Sequence, residues 1–285
     1  MKQLSSSATN ILMDVKKISI PFLETAAQFP FYTVILITEG SGKFYADIGR
    51  FSYNAPVLLF STPLQKLKIN HEGSLKGCAL QFHGDFYCIE YHKARVACNG
   101  LLFNNIYIEP SVILTPEEAA VFERICVDIE MEFDSREPDE IVLRSYLQLF
   151  LAKSSSIKLR NMAAEEVVQP KDEKMEQFIY LVEKNYLTLH KPADYADLLS
   201  MSVNNLSKKC QRYFGKSTSL MIQERLVLEA KKKLHLTRQS VKEIAFALNF
   251  SDEFYFSRFF KKFTSVSPHA FREQAGISVM ADIAG

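Results

Sequence analysis

Two stretches in the C-terminal half of the chain place amide, hydroxyl and cationic side chains on one side of a helix. A projection at about 100° per residue groups them in helices that follow Ser202 and Ser251. The outward-facing side chains are Asn204, Ser207, Lys208, Gln211 and Arg212 in the first helix, and Phe254, Ser257, Arg258 and Lys261 in the second. These groups suit the base edges and phosphates of duplex DNA, although a single such face is usually only a solvated helix surface.

The opposite side of each helix is apolar and is predicted to be buried. It consists of Val203, Leu206, Cys210 and Tyr213 in the first helix, and of Phe256, Phe259, Phe260 and Phe263 in the second. A shorter helix and a tight turn precede each one, with turns at residues 200–202 and 249–251. Two helix-turn-helix units are therefore predicted, over residues 194–214 and 241–263, and in this motif the second helix enters the major groove.

Helix-start signals support both units. Ser202 and Ser251 are each placed to cap the second helix of their unit, and Ser240 with Glu243 forms a capping box at the start of the second unit. Residues 219–236 predict one connecting helix that would span roughly 25 Å. Residues 231–233, three lysines near its end, could meet phosphates or could simply complement the helix dipole in solvent.

The N-terminal half has a different pattern of apolar and turn-forming residues. Short apolar runs between Gly, Pro and Asn predict a small antiparallel barrel or sandwich. The runs at 33–38 and 43–48 are predicted to form a hairpin around Gly40-Ser41-Gly42. Thr115, Pro116 and Glu118 predict a helix start, and Asp139 opens a second helix. This helix pair could close the core of the β domain or could pair with another copy of itself.

Composition sets further bounds. The 285 residues carry a net charge of +1, but residues 1–170 hold 16 Lys/Arg and 20 Asp/Glu, a net of −4, and residues 171–285 hold 18 and 13, a net of +5. This asymmetry hints that the second half meets a polyanion. With no apolar run near the roughly 18 residues of a membrane span and no signal-peptide pattern, we expect a cytoplasmic protein that contacts no membrane.

The sequence gives little indication of a metal site or of a catalytic nucleophile. A metal-dependent cupin enzyme would need two or three His and a carboxylate around the ion, and His71, His83 and His92 are not in a His-x-His arrangement. The five cysteines, Cys98 among them, contain no CxxC pair. We therefore expect no catalytic residues, no metal and no cofactor. The alternative is a metal-dependent cupin enzyme with an accessory DNA-binding domain.

The C-terminal residues also carry a family resemblance. Residues 244–262, IAFALNFSDEFYFSRFFKK, with Ser267-Pro268 and Phe271-Arg272, resemble the signature of the AraC/XylS family of bacterial transcription regulators. Residues 206–207, 214–217 and 225–231 are similar to the family's first unit and connecting helix. The resemblance covers about the last hundred residues. More weakly, the N-terminal half resembles the family's cupin-like sensing and dimerisation domain.

The resemblance implies an α+β chain with a cupin-like domain over 1–152, a linker over 153–171 and a DNA-binding domain over 172–285. It implies a regulator that is not an enzyme and that reads two adjacent major-groove segments, with double-stranded DNA and RNA polymerase as partners. It also implies a homodimer through helices in 116–151. Whether the N-terminal domain binds a small-molecule effector or is purely structural stays open, as does activation against repression.

The sequence departs from the family pattern at three positions. Asn249 and Ser265 stand where the family usually has glycine; Asn tolerates a left-handed conformation at small cost, and Ser tolerates it less well. Phe254 stands where many members are polar. It could contact a thymine methyl group or could pack on the connecting helix.

Overall fold

The computed structural model describes residues 2–6, 10–89, 100–168 and 172–277. The chain forms two compact units. Unit 1 comprises Met1–Asn105 and Glu109–Ala163, and unit 2 comprises Ile106–Ile108 and Ala164–Gly285. No helix in the described part of the chain is long and apolar enough to cross a membrane.

Unit 1 contains an antiparallel sheet in the order β1-β2-β7-β4-β6-β8, with β3 paired to β7 and β5 paired to β4. The strands are β1 (Lys2–Ser6), β2 (Asn10–Ser19), β3 (Ala27–Gln28), β4 (Tyr32–Ala46), β5 (Gly49–Asn54), β6 (Val57–Ser61), β7 (Lys66–Phe82) and β8 (Ser111–Ile113). Together with the helices below, this sheet confirms the predicted α+β class. Its closure into a cupin-like barrel stays a prediction.

The hairpin predicted around Gly40-Ser41-Gly42 is wrong. β4 continues through these residues without a turn, and the hairpin of the structure joins β4 to β5 after Ala46. Register shifts between Ile37 and Ser41 mark bulges where β4 pairs with β7. A Cβ at Gly40 or Gly42 would lie 2.0 Å from a carbonyl oxygen of β7. The two glycines therefore permit a bulge and a close strand approach, which the sequence alone does not distinguish from a turn.

Two helices cover one face of this sheet, α1 (Pro116–Phe133) and α2 (Glu140–Val168). The predicted capping box is present, because Thr115 Oγ1 accepts from the Glu118 amide at 3.3 Å and Glu118 accepts from the Thr115 amide at 2.9 Å. Apolar residues of both helices share one buried cluster with the sheet: Phe122, Ile125, Ile129, Leu143, Leu147 and Phe150. The helix pair thus closes the core of its own unit.

The segment 153–168, predicted to be part of an interdomain linker, is instead the C-terminal part of α2. Ser154 and Ser155 are buried, although Ser156 is exposed, and Ser154 donates to the carbonyl of Phe150 at 2.8 Å, so a polar composition did not mean that the whole segment is exposed. Lys158 donates to the carbonyl of Ser111 at 2.7 Å, and Asn161 donates to that of Ile113 at 2.9 Å. These bonds hold the polar helix end against β8, the strand before α1.

Apart from residues 106–108 and its turns, unit 2 is helical in its described residues. Its helices are α3 (Glu173–Asn185), α4 (Pro192–Leu198), α5 (Val203–Phe214), α6 (Thr218–Leu236), α7 (Val241–Ala247), α8 (Glu253–Thr264) and α9 (Pro268–Ala275). One apolar cluster joins α3, α4, α5 and the start of α6, and it includes Phe178, Tyr195, Leu206 and Met221.

Candidate nucleic-acid interface

The first helix-turn-helix unit is α4 followed by α5. The chain turns through Ser200, whose φ is +53°, and Ser202 caps α5 by accepting from the Asn205 amide at 3.2 Å. Leu206 and Cys210 are fully buried against α3 and α4, and they fix which face of α5 points outward. Gly215 ends the helix in a left-handed conformation.

The outward face of α5 carries the predicted polar groups. Asn204, Lys208, Gln211 and Arg212 are exposed, and Ser207 is half-buried at the edge of the face. Two of the four residues predicted to be buried are not, since Val203 is 43% and Tyr213 is 41% exposed. Val203 is the first residue of the helix, where little packs over it. The Tyr213 hydroxyl donates to Glu176 at 3.2 Å, which keeps the ring near the surface.

The second helix-turn-helix unit is α7 followed by α8. The predicted capping box starts α7, with Glu243 accepting from the Ser240 amide at 2.6 Å and Ser240 accepting from the Glu243 amide at 3.1 Å. The turn passes through Asn249 at φ +61°, so the residue that replaces the usual glycine adopts the left-handed conformation. Phe250 fills the turn, with its ring centroid 5.2–5.3 Å from those of Phe256 and Phe259.

The cap of α8 lies one residue later than predicted. Asp252, and not Ser251, is the N-cap, and its carboxylate accepts from the amides of Phe254 at 2.7 Å and Tyr255 at 3.0 Å. A carboxylate stabilises this helix end more than a serine hydroxyl would, because its negative charge also interacts favourably with the positive end of the helix dipole. At the other end of α8, Ser265 adopts φ +64°, the conformation that glycine would occupy most easily.

The outward face of α8 combines cations with one aromatic ring. Phe254, Arg258 and Lys261 are exposed, and Ser257 is half-buried beside them. On the inner side Phe256 and Phe260 are fully buried, whereas Phe259 and Phe263 are only half-buried at the margins. The aromatic spacing therefore predicted the direction of the core correctly but overstated its width.

A single helix, α6, joins the two helix-turn-helix units. Ser217 caps it by accepting from the Leu220 amide at 3.3 Å, and its 19 residues span roughly 28 Å at 1.5 Å each. Leu226, Ala230 and Leu234 are buried as predicted. Lys232 is exposed, and its two lysine neighbours are half-buried.

An ionic and aromatic cluster that the sequence did not reveal holds α6 to α3. Arg225 of α6 bonds both carboxylate oxygens of Glu183 at 2.9 Å and lies 3.8 Å over the ring of Tyr186. Tyr107 donates to Glu183 at 2.7 Å, and burial followed by this hydrogen bond raises the pKa of its hydroxyl. Lys216 donates to the carbonyl of Ile106 at 2.9 Å. Residues 106–108 therefore belong to unit 2 through contacts made far along the chain.

The histidines are spread apart. His71 lies 2.6 Å from Glu24 and His83 lies 3.5 Å from Asp85, while His92 falls outside the described residues. Hydrogen bonding to Glu24 raises the pKa of His71. Across the described residues, no three His, Cys, Asp or Glu side chains lie together as a metal site requires. Cys78, Cys126 and Cys210 are buried thiols, and Cys98 lies outside the described residues.

Comparison with known proteins places these helices in a family. Residues 195–274 match the model of a helix-turn-helix domain, a range that begins within α4 and contains α5, α6, α7 and α8. No curated protein sequence matches the chain.

Among solved structures, an apo ToxT variant from Vibrio cholerae strain SCE256 is 16% identical, covers 93% of this chain and 98% of its own, and has a TM-score of 0.45. ToxT bound to an unsaturated fatty acid, from the same strain, is 16% identical with 95% and 98% coverage and a TM-score of 0.42. A transcriptional regulator with an AraC-type DNA-binding domain, from Chromobacterium violaceum, is 24% identical with 36% and 91% coverage and a TM-score of 0.34.

The capped turns, the paired units and the family match agree with the resemblance seen in residues 206–272, and residues 195–274 are accordingly a DNA-binding helix-turn-helix domain of the AraC type.

Proposed function

We propose that the protein is a sequence-specific transcription regulator that reads two adjacent major-groove segments, one with α5 and one with α8. The observation that carries this proposal is the repetition of one surface. Each unit buries the apolar side of its second helix and exposes a side with cations, which are Lys208 and Arg212 in α5 and Arg258 and Lys261 in α8. One such face is ordinary, whereas two faces after two capped turns are what a bipartite DNA reader requires.

The spacing between the units suits this role. Reading two consecutive major-groove segments on one side of a duplex requires recognition elements about 34 Å apart. The rise of α6, roughly 28 Å, is of that order, and the burial of Leu226, Ala230 and Leu234 makes it a rigid spacer. The net charge of +5 over residues 171–285 supplies the attraction to the phosphate backbone.

Each outward side chain can be given a role by its chemistry. The amides of Asn204 and Gln211 match adenine, and the cations Lys208, Arg212, Arg258 and Lys261 match guanine or phosphate oxygens. Ser207 and Ser257 lie at the edges of their faces, where hydroxyl groups suit phosphate contacts. These assignments predict that loss of a base-reading cation relaxes specificity, while loss of a phosphate contact weakens binding to every sequence.

The N-terminal unit would control this reader, as a sensing and dimerisation domain over residues 1–152, and RNA polymerase would be the partner that receives the signal. Support for dimerisation comes from the outer surface of the helix pair. Exposed apolar residues remain there after the core is closed: Val121, Val127, Met131, Ile141 and Leu149.

The test is DNA selection from a random duplex library by the full chain, followed by affinity measurements on the enriched duplex at several salt concentrations. We expect one enriched sequence and an affinity that falls steeply with salt, because phosphate contacts release counterions. We expect Lys208→Ala and Arg258→Ala to weaken binding about 5- to 100-fold, which corresponds to about 1–3 kcal/mol.

Lys184→Ala is the matched control. It removes an exposed cation from α3, which belongs to unit 2 but lies outside both helix-turn-helix units. It should leave affinity within about twofold of the unchanged protein, the scale expected for a distant surface substitution. Selection that enriches no sequence would contradict the proposal, as would equal losses in all three variants.

A further inference from the structure

Phe254 occupies a position from which recognition helices reach base edges. It is the second residue of α8, and residues at the N-terminal end of such a helix make the base contacts in helix-turn-helix proteins. The Asp252 carboxylate accepts the Phe254 amide at 2.7 Å, so the backbone that carries the ring is fixed. The ring is therefore presented by a rigid element.

The exposure of Phe254 contrasts with the other aromatic residues of α8 and its turn. Phe254 is 74% exposed, whereas Phe250 is 7% exposed and Phe256 and Phe260 are fully buried. Tyr255 is also exposed, but its ring contacts that of Phe250, with the ring centroids 5.7 Å apart. At 74% exposure Phe254 does not pack on the connecting helix, which removes one of its two sequence-based interpretations.

Single apolar residues are often exposed, so exposure alone does not indicate a binding role for Phe254. The residues around it provide that indication. Ser257 and Arg258 lie three and four residues further on, on the same side of α8, and Lys261 continues that side. The ring is thus an apolar point within a polar, cationic face. In the major groove the matching apolar point is the C5 methyl group of thymine, the one hydrocarbon group that bases present there.

We propose that Phe254 is a specificity-determining residue that contacts a thymine C5 methyl group in the DNA segment read by α8. This inference rests on the proposed function, because it requires α8 to lie in the major groove. It assigns an apolar contact to one end of the α8 face and leaves polar contacts to Ser257, Arg258 and Lys261. Affinity for the preferred site should therefore depend on a methyl group that forms no hydrogen bond.

The experiment uses the duplex selected from the random library and a set of duplexes in which single thymines are replaced by deoxyuridine. This replacement removes only the methyl group and keeps base pairing. For the unchanged protein we expect one replacement to weaken binding about fourfold, the loss expected for one buried methyl group. For Phe254→Ala we expect equal affinity for that pair of duplexes.

Phe246→Ala is the matched control, because Phe246 is an exposed aromatic residue on α7, the first helix of the same unit. It should keep the preference for thymine. Equal coupling in both variants, or no replacement that the unchanged protein detects, would overturn the inference while leaving specific DNA binding intact. Failure to select any sequence would instead overturn the proposed function and this inference with it. Thermal unfolding of Phe254→Ala should match that of the unchanged protein, since little of the ring is buried.

Discussion

At the scale of single residues, the polar groups at the surface were easier to predict than those inside. Asn204, Lys208, Gln211 and Arg212 are exposed as the helical projection requires, because helix geometry alone decides which side they take. Inside unit 1, by contrast, Asp14 is buried opposite Gln81 on the neighbouring strand. Nothing in a sequence of alternating residues distinguishes an inward carboxylate from an outward one until the strand register is known.

Asp14 leads to a prediction about pH. Both of its carboxylate oxygens lack a hydrogen-bond partner among the described residues, and the nearest cation, Lys16, is 3.9 Å away. Burial raises the pKa of Asp14 above its ordinary value. A raised folded-state pKa means that the protonated form is preferred in the fold, so this group's stabilising contribution is present below about pH 4 and is lost as pH rises through the folded-state pKa.

Asp14→Asn should therefore raise the free energy of unfolding at about pH 7, by on the order of 1 kcal/mol, and the gain should vanish at about pH 4. Urea unfolding at the two pH values measures the difference. Glu72→Gln, the same charge change at an exposed position of β7, serves as the control and should show no gain. A gain from Asp14→Asn that is equal at both pH values would show that the carboxylate charge is not its source.

At the scale of elements, both capping boxes were predicted correctly and the cap of α8 was placed only one residue early, whereas features that depend on distant partners were not predicted. Capping boxes at Thr115 and Ser240 were predictable because cap and partner are three residues apart. The bulges at Gly40 and Gly42 depend instead on carbonyls of β7, about thirty residues away. The helical end of α2 likewise depends on bonds from Lys158 and Asn161 to backbone outside the helix.

The cap of α8 provides a test at this scale. Asp252→Ala removes the acceptor for two amides at the start of the helix, so it should reduce the free energy of unfolding by about 1 kcal/mol. Ser251→Ala, one residue earlier, is the control and should change stability little, because Ser251 is exposed and is not the cap. Chemical unfolding of both variants gives the comparison. The reverse order of effects would restore Ser251 as the cap and contradict the structure.

At the scale of the whole molecule, the charge division proved more informative than the total. A net charge of +1 describes neither half, because the half that carries both helix-turn-helix units holds +5 and the other holds −4. The division into compact units was harder to anticipate. Residues 106–108 join unit 2 because Tyr107 donates to Glu183, 76 residues further along the chain, and the Ile106 carbonyl accepts from Lys216, 110 residues further along.

The outer surface of α1 and α2 carries the last prediction. The two helices close the core of unit 1, yet Met131 and Ile141 remain exposed on them, Ile141 by 74%. A symmetric dimer that buries this surface would remove these side chains from water without disturbing the core. Ile141→Glu should then shift the chain from dimer to monomer in sedimentation experiments, because a carboxylate buried at a dimer interface without a partner is strongly unfavourable.

Ile48→Glu is the matched control, because Ile48 is exposed on unit 1 in the turn between β4 and β5, away from both helices. It should leave the dimer unchanged, and neither variant should lower the thermal stability of the monomer much, since both side chains lie largely in solvent. If Ile141→Glu remains dimeric while selected DNA is still bound, the two copies meet elsewhere. If the unchanged chain is monomeric at every concentration, α1 and α2 have only the structural role of covering the sheet.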